Sequence, residues 1–113
     1  MLTELNAYRQ TVLDLYLRLP DTPRRLNRQD LRLVRQLWER EVPLRTVEAA
    51  FLLASARRSA RLPDAMPLGH IRSLHYFVPV IEELLAQPVP ESYVAYLRSK
   101  VQTRPPMQSA AAR

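Results

Sequence analysis

Leu44-Arg-Thr-Val-Glu-Ala-Ala-Phe-Leu-Leu-Ala-Ser-Ala-Arg-Arg-Ser-Ala60 is the stretch on which the fold turns. Val47, Ala50, Phe51 and Ala54 recur at the spacing of one helical face, and Leu52 and Leu53 carry the apolar surface around most of the girth. A helix apolar on nearly every side needs cover from several neighbours, so this segment is expected to form the centre of a core. Pro43 suits its first turn, where the missing N–H is one the helix leaves unpaired anyway. Arg57, Arg58 and Arg61 crowd its far end, where a cation meets unsatisfied carbonyls, worth about 0.3–1 kcal/mol each at an exposed site.

Proline punctuation separates this helix from four other apolar-periodic segments. Upstream, Leu2 to Leu19 repeats Leu5, Tyr8, Val12, Leu15 and Leu19 at helical spacing and stops at Pro20. The linker Pro20-Asp-Thr-Pro-Arg-Arg-Leu-Asn27 should run extended over the surface until Asn27 caps a second helix, Arg28 to Val42. That helix gathers Leu31, Val34 and Trp38 on one face and Arg28, Arg32 and Arg35 on another. Downstream, Leu62-Pro-Asp-Ala-Met-Pro-Leu-Gly69 is the clearest break in the chain. Ser73 is a candidate cap for a helix reaching Gln87, but Pro79 demands either a start nearer His75 or a kink. A last segment, Glu91 to Gln102, aligns Val94, Leu97 and Val101, and residues 104–113 are expected to be a disordered tail. No stretch alternates with period two for long. The expectation is therefore an all-α, compact bundle of four to five short helices in one domain over residues 1–103.

The 113 residues hold 16 Arg to one Lys, 11 carboxylates, one Gly and no Cys, for a net charge of +6. Without a thiol there is no disulfide framework, no thiolate zinc site and no cysteine nucleophile. A single glycine excludes a Walker loop or a dinucleotide fingerprint, which need several backbone positions free of a Cβ. The longest apolar run, Ala49 to Ala56, is far short of a bilayer span. The opening residues lack the pattern of a secretory signal, so a cytoplasmic location and no membrane partner are expected.

Catalytic candidates are few. His70 and His75 are five apart, which sets them about 140° around a helix and argues against a shared metal. Glu82 and Glu83 are adjacent and face different ways on a helix, so they read as solvated charges. No catalytic residue, metal or cofactor is expected, and the chain is not expected to be an enzyme.

Charge is the informative feature. Residues 21–62 carry ten Arg against five carboxylates, whereas residues 63–87 are net −2. Guanidinium binds phosphate through two parallel donors and stacks on bases, so an arginine excess suits phosphate contacts, although GC-rich coding also favours Arg over Lys. Arg24, Arg25, Arg28, Arg32 and Arg35 form one candidate phosphate-contacting cluster, and Arg57, Arg58 and Arg61 a second. Tyr93 and Tyr96, followed by Arg98 and Lys100, read either as a stacking platform or as cover for the core edge. Trp38, Phe51, Tyr76 and Phe77 fall on or near apolar stripes and are expected in the core, with a binding role open for Tyr76.

Leu26-Asn-Arg-Gln-Asp30 with Leu33, Trp38 and Val42-Pro-Leu44-Arg-Thr-Val47 resembles the helical domain of the DnaD-like replication-initiation and primosome proteins. In that family a Tyr-led helix follows, with an aliphatic residue four positions on and a Trp four later; here these are Tyr76, Val80 and Leu84. The final aromatic is thus replaced, and Pro79 falls where the family's helix runs unbroken. The resemblance, over residues 26–86, implies a DNA-binding protein of replication or a mobile element, with a helicase or initiator as partner. The leading expectation is backbone or single-strand binding to DNA. Its main rival is a protein-interaction subunit whose apolar surplus at Ala49 to Ala56 is buried by another chain, giving a homo-oligomer.

Overall fold

The structure is a computed structural model that describes residues 2–61, 64–66, 68–101 and 103. The described residues form five helices, α1 (Leu2–Leu17), α2 (Arg28–Glu39), α3 (Leu44–Ser59), α4 (Val78–Ala86) and α5 (Glu91–Lys100), and a 3-10 turn over Leu74–Phe77 precedes α4. No strand occurs among the described residues. The expected tail lies outside them.

α3 takes the central place that its composition demands. Ala49 to Ser55 are all buried, and α1, α4 and α5 pack on it while α2 packs on α1 and on the 3-10 turn. The apolar belt is therefore covered by this chain's own helices, with Ala56 half-buried at its end. That removes the specific reason to expect a second copy over it.

Local chemistry explains the helix limits. Asn27 accepts the Asp30 N–H at 2.8 Å and the Asp30 carboxylate accepts the Asn27 N–H at 3.2 Å, a reciprocal capping box at the start of α2. α2 ends at Glu39 rather than running to Val42, because Glu41 turns left-handed at φ 57°. Glu41 N–H then donates to the Trp38 carbonyl at 2.9 Å and Val42 N–H to the Leu37 carbonyl at 3.0 Å, closing the helix end over a buried Val42–Leu37 pair. Pro43 stands just outside α3 as its cap, with extended backbone. Pro79 causes no kink: Ser73 caps the 3-10 turn through the His75 N–H, and α4 begins afresh at Val78 with the proline in its first turn.

Two tyrosines are enclosed by this packing. Tyr8 donates to the Val42 carbonyl at 2.9 Å, and burial pushes its phenol up to about 12. Tyr16 is fully buried against Phe51 and Phe77; burial, then the charge of Asp30, raises its phenol well beyond the ordinary range. Its hydroxyl has no hydrogen-bond partner among the described residues. Because both folded phenols resist ionisation while the unfolded chain ionises near pH 10, stability is held below pH ~10 and lost as pH rises through the folded values. The melting temperature is expected to fall steeply above pH ~10, and less so in Tyr16→Phe, which also removes an unpaired buried hydroxyl costing about 1–3 kcal/mol. Thermal melts of both proteins across that range check this, and an alkaline limb unchanged by Tyr16→Phe contradicts it.

Candidate nucleic-acid interface

The linker and the first turns of α2 place Arg24, Arg25, Arg28 and Arg32 at the surface. Thr22 and Asp30 turn inward and Leu26 is half-buried, so the arginines alternate outward from a backbone laid over the core. None of the four has a carboxylate partner among the described residues. Arg35, one turn on, is also exposed, but its Nε pairs with Glu39 at 3.3 Å along the helix. An exposed pair of this kind is worth a few tenths of a kcal/mol and yields readily to a competing anion.

The second expected cluster is divided by the structure. Arg57 forms a two-pronged pair with Glu83 at 3.0 and 2.7 Å. That hydrogen bonding, with the attendant charge, holds the Glu83 carboxyl below its usual range and raises the guanidinium. Arg58 is drawn inside, its side chain only 10% exposed. Its Nη2 donates to the Gly69 carbonyl at 2.8 Å and lies 3.6 Å from the Asp21 carboxylate, while Nη1 donates to the Tyr76 hydroxyl at 3.2 Å. The same guanidinium sits 5.3 Å from the Tyr76 ring centre. Only Arg61 of this trio is exposed without a carboxylate partner among the described residues. It lines a cavity of about 260 Å³ with Ser55, Arg58 and Asp21.

Tyr76 is not a core residue. It is 42% exposed at the 3-10 turn, packed edge-on to Phe77 and occupied by Arg58. Phe51 and Phe77 are buried as expected, and Trp38 is half-buried edge-on to Tyr8. On α5 the Tyr93 and Tyr96 rings stack at 6.1 Å with the Lys100 ammonium 5.5 Å from Tyr96. Arg98 there is consumed by Glu48 and Glu91, so the surroundings of these rings are close to neutral rather than basic.

Sequence reasoning did not anticipate the other role of the carboxylates, which is to bind particular arginines across the fold. Arg40 clasps Glu82 at 2.8 and 3.0 Å, tying the end of α2 to α4, and hydrogen bonding there lowers the Glu82 carboxyl. Arg98 similarly ties α5 to Glu48 of α3 at 2.9 Å. Adjacent Glu82 and Glu83, separated by about 100° on their helix, therefore reach two different helices. Among the described residues no three His, Asp or Glu side chains group as a metal site, and no helix is long and apolar enough to cross a membrane. Compared with known proteins, the chain matches no family model, no curated protein and no solved structure.

Proposed function

We propose that this is a non-catalytic nucleic-acid-binding accessory protein that grips the phosphodiester backbone through Arg24, Arg25, Arg28 and Arg32, with Arg35 and Arg61 adding charge. The observation that carries the reading is the sorting of arginines. Arg40, Arg57, Arg58 and Arg98 meet carboxylates of other elements, whereas the linker and the opening of α2 gather four exposed guanidinium groups with no carboxylate partner among the described residues. Uncompensated cations gathered over about ten residues repel one another and are best satisfied by a polyanion. A side chain committed to internal struts has no fork left for phosphate, so Arg57 and Arg58 serve the fold in this reading.

The resemblance of residues 26–86 to DnaD-like replication proteins points toward DNA and toward a helicase or initiator as protein partner. Buried over most of its length, α3 is too apolar to serve as a recognition helix, so backbone contact without sequence preference is the proposed mode. Fluorescence anisotropy with labelled single- and double-stranded oligonucleotides tests this. Four to five phosphate contacts imply an affinity loss of about a hundred-fold or more on duplex between ~50 and ~200 mM salt. Replacing Arg24, Arg25, Arg28 and Arg32 together by alanine should abolish most of the binding while leaving the melting temperature nearly unchanged. Equal affinity in that variant refutes the reading.

A further inference from the structure

The linker does not lie alone on the surface. Ile71 N–H donates to the Asp21 carbonyl at 2.8 Å, and Leu74 N–H donates to the Asp30 carboxylate at 2.9 Å. Both ends of the stretch 21–30 are thus pinned to the stretch 71–74, forty-four residues away at the second pin. Three residues of extended chain reach at most about 10 Å, so the two pins are no farther apart than that. Ile71 and Leu74 are buried at the pins, and between them Arg72 is exposed without a carboxylate partner among the described residues. Arg58 adds a third tie, from α3 to Gly69 and Tyr76 on either side of this stretch.

From this juxtaposition we propose that Arg72 belongs to the same phosphate-binding surface as Arg24, Arg25 and Arg28, making that surface a composite of two chain segments held in register by Asp21 and Asp30. The inference rests on the nucleic-acid reading and adds a residue that lies outside the arginine-rich part of the sequence, in a region of net negative charge. A composite surface also gives the buried Asp30 carboxylate a positioning part in binding: it aligns the cations without touching phosphate.

The test compares three alanine variants, Arg28→Ala, Arg72→Ala and Arg45→Ala, with Arg72→Lys beside them, on the same labelled oligonucleotide over a salt series. Arg45 is the control, exposed and without a carboxylate partner among the described residues, but at the opposite end of α3 from Arg58, about 20 Å away at 1.5 Å per residue. Arg72→Ala is expected to weaken binding several-fold and to flatten the salt slope by about 0.9 on duplex or 0.7 on single strand, as Arg28→Ala does. Arg45→Ala should change neither, and Arg72→Lys should retain the slope. If Arg28→Ala weakens binding and Arg72→Ala does not, the composite surface is wrong and the α2 reading stands. Equal losses in all three variants mean diffuse attraction and overturn the inference. Absence of binding by the unaltered protein overturns both.

Discussion

Asp30→Ala is expected to destabilise the protein by about 2–4 kcal/mol, a large share of the roughly 5–15 kcal/mol that holds a domain of this size together. Asp30 is fully buried, and its two oxygens accept separate backbone N–H groups, Asn27 at 3.2 Å and Leu74 at 2.9 Å. Truncation orphans both donors, and the one on Leu74 belongs to a fully buried residue. A hydrogen bond to a charged group contributes about 1.5–3 kcal/mol, more than the ~1 kcal/mol expected from removing the exposed Asn27 cap. Asp30→Asn, which keeps an acceptor oxygen, should fall between. Urea denaturation followed by helical ellipticity measures all three, and a loss under ~1 kcal/mol for Asp30→Ala means the link to Leu74 is unimportant. The same variant separates alignment from charge in binding. Removing a carboxylate beside a cationic surface should strengthen phosphate attraction, yet loss of the pin is expected to weaken it under conditions where the variant remains folded.

Which features were legible in the sequence follows from how far apart their causes lie. The Asn27 cap and the central position of α3 depend on residues within one or two turns, and both are read directly from spacing. The third hydrogen bond of Asp30 depends on a residue forty-four positions away, so its sequence shows only a polar residue in a helix's first turn. Arg57 and Arg58 show the same limit from the functional side. As neighbours in the chain they look equivalent, but about 100° of helical rotation sends one to Glu83 and the other inward to Gly69 and Tyr76. Pro79 allowed two readings because a proline excludes a conformation without selecting its replacement; the Ser73 cap and the buried Leu74 and Phe77 select the 3-10 turn. α-Helical spacing puts Tyr76 near the apolar stripe, but in the tighter turn its ring faces outward beside Arg58. For that reason the Tyr76, Val80 and Leu84 series spans a break between two helix types.

That break is also where the largest loss of stability is expected. Phe77→Ala should cost about 3–5 kcal/mol, because the ring is fully buried where α1, α3 and the 3-10 turn converge. Phe51 lies 4.8 Å from its centre and Tyr16 6.1 Å away, nearly perpendicular to it. Truncation leaves a cavity lined by two rigid aromatic rings, which collapse into it poorly, and it removes edge contacts worth about 0.5–1.5 kcal/mol beyond the buried area. Tyr76→Ala, one residue earlier, is the internal comparison. It loses a half-exposed ring and the Arg58 contact, so about 1 kcal/mol is expected. At roughly 4–8 °C per kcal/mol for a domain near this size, Phe77→Ala should melt at least 10 °C below Tyr76→Ala. Similar melting temperatures for the two variants contradict the placement of Phe77 at the centre of the core. Phe77→Leu, which refills much of the space, should recover more than half of the loss if the cavity is its main cause.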